Sequence, residues 1–192
     1  MTNRISELLE EASRRAVPVV RGVPDDRLGD PTPCTEYTVS GLLDHLFHVV
    51  IGFQALAARQ QADFSVTPHY LEGDWRGRFA DETAKLVAAW AVPGADEGEA
   101  GSMNLPARTV GAMALGDLTV HAWDLARATG QAYEPDPSST GTIEAMVADM
   151  APMARSMKVF GEPVPLPDDA PAFDRLLAAT GRDPGWSPAP RT

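Results

Sequence analysis

The stretch Val39-Ser40-Gly41-Leu42-Leu43-Asp44-His45-Leu46-Phe47-His48-Val49-Val50-Ile51-Gly52-Phe53 decides the fold. Val39, Leu42, Leu43, Leu46, Val49, Val50 and Phe53 recur at the three- and four-residue spacing that lays one apolar stripe along a helix for four turns, with Thr38 or Ser40 as N-cap. Outward from it, the 17 prolines mark where helices stop, because a proline inside a helix costs about 3 kcal/mol. The proline-free windows are 1–17, 38–67, 69–92, 107–134 and 138–151. The first carries Ile5, Leu8, Leu9 and Ala12 at amphipathic spacing. A third helix is expected over 74–90 on Trp75, Phe79, Leu86, Val87 and Trp90. A fourth runs over 109–129 to Gly130, a residue suited to a left-handed C-cap, and a shorter fifth starts at Ser138 or Thr140 and meets a kink at Pro152. No long alternating run exists, although 102–106 and 158–164 are each suited to a short extended piece. The expectation is an all-α protein: a four-helix bundle with a short additional helix and a proline-rich C-terminal tail. Residues 1–157 would form the domain, and 158–192 an extension packed on it.

The 192 residues include 27 acidic and 16 basic side chains, a formal net charge of −11. A field of that sign repels phosphate backbones and anionic lipid, so nucleic-acid and membrane partners are not expected. Hydrophobic residues at 44% and charged residues at 22% are those of a globular domain. The apolar run over 39–58 is interrupted by Asp44, His45, His48 and Gln54, and reads as a core helix rather than a membrane span. The N-terminus, MTNRISELLEEASRR, is charged where a signal peptide would be apolar, and the single cysteine, Cys34, allows no internal disulfide and no cysteine-rich zinc site. A cytoplasmic protein is expected. The apolar face of 74–90 leaves room for a homodimer.

The fourth helix carries the chemistry. Asp117, His121 and Asp124 fall at i, i+4 and i+7 on one stripe, in line with Val110, Met113, Ala114 and Ala128, which should face the interior. Ionisable groups in such a place need a cation to coordinate or one another to bond. A carboxylate and an imidazole four residues apart can reach one ion, and the same spacing also suits a simple side-chain contact or a buried polar network. His45, beside the apolar stripe of the second helix, is the candidate third ligand. His48, pointing further out, is the fallback. Three protein ligands would leave positions open on the ion, as catalytic sites require, whereas a fourth from Asp124 or His48 would make the site structural. One Asp and two His suit zinc, nickel, iron or manganese. Asp124 is placed to accept the outward N–H of a ligand histidine. Arg127 is placed to pair with Asp124 or an anionic substrate, with a helix-end salt bridge as the competing reading. Trp123 reads as packing and His69 as surface. Cys34 reads either as a thiol activated by the following helix N-terminus or as a buried structural cysteine.

Thr32-Pro33-Cys34-Thr35-Glu36-Tyr37-Thr38-Val39 running into Leu42-Leu43-Asp44-His45-Leu46 resembles the opening of the second helix in the DinB-like superfamily. More specifically it resembles the metal-binding domain of the actinobacterial mycothiol-dependent maleylpyruvate isomerases. The segment from Gly116-Asp117-Leu118 through His121-Ala122-Trp123-Asp124 to Thr129-Gly130 is similar to that group's most recognisable stretch, and the tail from Phe160 to Arg182 also matches it. The resemblance implies a four-helix bundle holding a divalent metal, commonly zinc, through one histidine of the second helix and a carboxylate/His or His/His pair of a later one, here His45, Asp117 and His121. It further implies mycothiol as co-substrate and a thiol S-transferase or isomerase acting on an electrophilic substrate, with Arg127 toward the cofactor. A non-catalytic metal- or small-ligand-binding bundle is the alternative. Two features depart from the pattern. The isomerase's carboxylate ligand is a glutamate, one methylene longer than Asp117, and its separate C-terminal domain has no counterpart in the 35 residues from Lys158 onward.

Overall fold

Helix boundaries fall where side chains satisfy the orphaned backbone groups of a helix end. In chain order, α1 spans Arg4–Arg21, α2 Val39–Ala57, α3 Trp75–Trp90, α4 Ala107–Thr129, α5 Pro137–Ser156 and α6 Ala172–Ala179, in a computed structural model that describes residues 4–188. The side chains of Thr38, Asp74 and Asp136 accept the N–H groups of Gly41, Gly77 and Ser139 at 3.3, 3.0 and 2.9 Å and so open α2, α3 and α5. Gly130 closes α4 in the left-handed conformation, at φ 74°. Residues 1–3 of the first helical window and 189–192 of the expected extension lie outside the described residues.

The chain is an all-α helical bundle. Among the described residues the sheet is one two-residue pair, β1 (Glu99–Ala100) with β2 (Leu105–Pro106). α1 packs on α3 and α4, α2 packs on α3 and α4, α5 covers α4, and α6 rests on α5. α4 is therefore central and is buried on nearly every side. Its large side chains Leu115, Leu118 and Leu125 are sealed, and Gly111, Ala114, Ala122 and Ala126 let its neighbours approach closely. α2 has the length and hydropathy of a membrane span by composition. Its Leu42, Leu43, Leu46, Phe47 and Leu56 are instead at 0% exposure inside the bundle, each burial worth about 1.5–3 kcal/mol.

The proline rule fails at two places. α1 continues through Pro18 to Arg21, and α5 continues through Pro152 to Ser156, so the fifth helix has 20 residues and is not short. Both prolines are on exposed faces, and the carbonyls that lose a partner four residues back belong to exposed Arg14 and Ala148, within reach of solvent. The tail is not irregular throughout, because α6 forms within it, burying Leu176 and Leu177. Of the two extended pieces, 102–106 contributes β2. The other, 158–164, forms no strand but bonds to the end of α6, with Gly161 N–H to the Thr180 carbonyl at 3.3 Å and Val164 N–H to the Ala178 carbonyl at 3.1 Å.

That contact requires two glycines. Gly181 is at φ +89°, and a Cβ there would stand 2.6 Å from Gly161 Cα. Gly181→Ala therefore combines left-handed strain with overpacking and is expected to lower unfolding free energy by about 2–4 kcal/mol. Gly130→Ala, at φ +74° with nothing within 4 Å, should lose only about 1–2 kcal/mol. Urea titration checks the pair, and equal losses would contradict the close approach.

Candidate metal centre

Two helices and two loops meet at His121. α4 presents Asp117, His121 and Asp124 toward α2, and α2 presents His45 from a turn whose neighbours Leu42, Leu43 and Leu46 are locked in the core. The loop before α2 brings Cys34 and Tyr37. It is pinned by buried Thr32, whose hydroxyl donates to the Cys34 and Tyr37 carbonyls at 2.8 and 2.9 Å. The turn after α6 brings Arg182, whose N–H bonds the Leu177 carbonyl at 2.9 Å.

One ligand atom each from His45, Asp117 and His121 lie within 4.8 Å of one another. His121 Nε2 is 3.7 Å from Asp117 Oδ1, the His45 and His121 rings meet edge to face at 5.0 Å, and Tyr37 stacks on His45 at 5.0 Å with its hydroxyl 3.5 Å from Nδ1. On its other side His121 Nδ1 is 3.0 Å from Asp124 Oδ2. Asp124 has no exposed surface, and its counter-charge is Arg182. The Nη2 of Arg182 donates to Oδ2 at 3.2 Å and its Nε reaches both carboxylate oxygens at 3.4 Å, while Nη1 donates to the Thr180 carbonyl at 3.3 Å. The result is a line of groups, Arg182–Asp124–His121–Asp117, that begins in the tail and ends at the donor cluster.

The electrostatics suit a cation. Burial first, then the charges of His121, His48 and Arg182, hold His45 down to about 3, so its ring stays neutral and keeps a lone pair at neutral pH. Burial pushes the Asp117 carboxyl above its ordinary range, against the pull of His121 and Arg182, although a third of its side chain reaches solvent. Two imidazoles and a carboxylate thus face one another at the accessible edge. Two nitrogens and one oxygen form a donor set that fits a divalent transition metal with positions left open. Burial is also the largest influence on Tyr37, whose phenol is raised and stays protonated over the cluster.

A second set, Cys34, His121 and Asp124, also lies within 4.8 Å. Burial pushes the Cys34 thiol up to about 11, the opposite direction from the one an activated thiol needs. The fallback ligand His48 is elsewhere. Its Nδ1 is 3.2 Å from the Tyr70 hydroxyl, and its ring packs on Phe64. His69 is exposed, yet has a partner in Asp44 at 2.8 Å. Arg127 does not join the cluster, because its Nε and Nη2 donate to the Trp186 carbonyl at 3.1 and 2.6 Å. The arginine on Asp124 is Arg182, 58 residues further along the chain. Arg182 lies in the tail, beyond the residues that local helical spacing can relate to Asp124, and no spacing in the sequence assigns it there. Trp123 packs with Val120 and Leu177.

Residues 9–126 match the family described as the mycothiol maleylpyruvate isomerase N-terminal domain, a span that holds His45, Asp117, His121 and Asp124 but ends before α5, α6 and Arg182. Two uncharacterized proteins, from two strains of Mycobacterium tuberculosis, are each 32% identical over 171 residues, covering 85% of this chain and 90% of theirs. No solved structure gives a significant match.

Two measurements test these environments. Cys34, a thiol near 11, has roughly 0.1% thiolate at pH 8 against roughly a quarter for an ordinary thiol, so iodoacetamide should alkylate it over 100-fold more slowly than in urea. Comparable rates would contradict the half-buried placement of the thiol. In chelator-treated protein the unfolded chain protonates His45 near 6.5 while the folded chain resists until about 3. Stability is then fully present above pH 6.5 and lost as pH falls toward 3. Urea midpoints from pH 7 to 4 should fall more steeply for the wild type than for His45→Gln, and parallel curves would refute the assignment.

Proposed function

The chain belongs to the mycothiol maleylpyruvate isomerase N-terminal domain family, and from that premise we propose that it is a divalent-metal-dependent enzyme using a low-molecular-weight thiol. The observation that carries this is the convergence of His45, Asp117 and His121 donor atoms within 4.8 Å. Zinc is the first candidate among zinc, nickel, iron and manganese, and mycothiol is the family's thiol. When bound, the metal would supply a lowered thiol pKa, so that a thiolate is available at neutral pH.

The protein's own part is positional. His45 stays neutral and keeps a lone pair. His121 gives Nδ1–H to Asp124 and turns Nε2 inward, and Asp117 occupies the edge where a ligand enters. The protonated Tyr37 hydroxyl is available to donate a hydrogen bond to an anion forming above the cluster. A thiolate beside an electrophile either stays attached, which is S-transfer, or adds and leaves after rotation about the former double bond, which is cis–trans isomerisation. Residues 1–157 are read as the metal-binding domain and 158–192 as the extension that completes its rim, in a cytoplasmic chain that could pair through the α3 face. Arg127 would reach a substrate only by releasing Trp186.

Elemental analysis of tag-free protein tests the reading. About one equivalent of a divalent transition metal is expected, with loss of over 90% of it in His45→Ala and Asp117→Ala, and consumption of thiol with an electrophile that stops on chelation. Less than about a tenth of an equivalent in the wild type would refute it. A full equivalent whose removal drops the melting temperature steeply, with no effect on any thiol, would favour the non-catalytic bundle.

A further inference from the structure

His121 belongs to both donor sets, and an ion arriving at its ring has two places to go. On the Nε2 side wait His45 and Asp117. On the Nδ1 side wait Cys34 and Asp124. By ligand chemistry alone the second set is attractive, because sulfur and imidazole together bind zinc well. What separates them is a charge already in place. Arg182, 7% exposed, lies on the fully buried Asp124, and no other cationic group is bonded to that carboxylate among the described residues.

We propose that Arg182 is a positioning residue of the metal centre: its guanidinium takes the cation's place on the Cys34 side, holds Asp124 as the acceptor of His121 Nδ1–H, and so directs a divalent ion to Nε2, His45 and Asp117. The inference rests on the reading of those three residues as the metal centre. Two consequences of the geometry support it. An ion on the Nδ1 side would have to break the 3.0 Å His121–Asp124 contact and sit against a buried guanidinium, where like charges are poorly screened. The same contact fixes the ring so that its remaining nitrogen faces the other set. Arg182 is delivered by a built turn, since the Gly161–Gly181 crossing and the bond from Arg182 N–H to the Leu177 carbonyl aim it inward. The tail is thereby part of the metal centre although it contributes no ligand.

Cobalt(II) added to the chelator-stripped full chain reads this directly, because thiolate ligation adds a strong sulfur-to-cobalt absorption in the near ultraviolet. Wild type should bind cobalt without that band, and Cys34→Ser should leave spectrum and affinity unchanged. Arg182→Gln should gain the band and lose at least about tenfold in affinity at the original site. The band should vanish again in Arg182→Gln/Cys34→Ser. Arg182→Lys, which restores the charge without the fork, should lack it. Circular dichroism checks that each variant is folded, and the Cys34→Ser arm decides even if Arg182→Gln does not fold. A thiolate band in wild type, a changed cobalt spectrum in Cys34→Ser, or a folded Arg182→Gln with wild-type spectrum and affinity would overturn the inference alone. No cobalt uptake by wild type would overturn the reading of the site as well.

Discussion

Asp124 is a carboxylate with no exposed surface in the C-terminal third of the most buried helix of the bundle. Such a group persists only where hydrogen bonds and a counter-charge replace the water it has lost, because an unpaired buried charge costs several kcal/mol. Its two partners come from opposite directions. His121 stands one turn before it on α4, and Arg182 arrives from the far end of the chain. Much of the site's organisation follows from that pairing. The orientation of the His121 ring, the inward aim of the tail, the glycine crossing that permits it and the protonated state of neighbouring Cys34 all belong to one connected arrangement.

Much of this was legible in the sequence where a local rule was in control. The apolar spacing from Val39 to Phe53 and the cap at Thr38 define α2, and Gly130 ends α4 as a left-handed residue must. The stripe of Asp117, His121 and Asp124 among small residues marks the place where charge enters the core, and the angle of His45 to the apolar face favours it over His48. In the folded chain His45 meets the stripe, while His48 turns to Tyr70.

What could not be read depended on solvent exposure or on contacts distant in the chain. Pro18 and Pro152 end helices by the local rule, but each faces water and leaves its orphaned carbonyl solvated, so both helices run on. α6 is eight residues in a proline-rich tail and owes its existence to Leu176 and Leu177 packing on the bundle rather than to intrinsic preference. Asp124 needed an arginine, and helical spacing offered Arg127 three residues on. The fold supplies Arg182 instead, because Arg127 is held by the carbonyl of Trp186.

The family match covers the donor residues and stops before the tail, while the two mycobacterial relatives match along most of their own length. The proposed ligand set on α2 and α4, trimmed by a short C-terminal segment, would hold a metal with positions left open for chemistry. Zinc-edge X-ray absorption of the thiol-free protein tests this most directly. The account predicts only nitrogen and oxygen neighbours, at about 2.0–2.2 Å, with imidazole scattering from two histidines. A sulfur shell at about 2.3 Å would place the ion on Cys34 and contradict it.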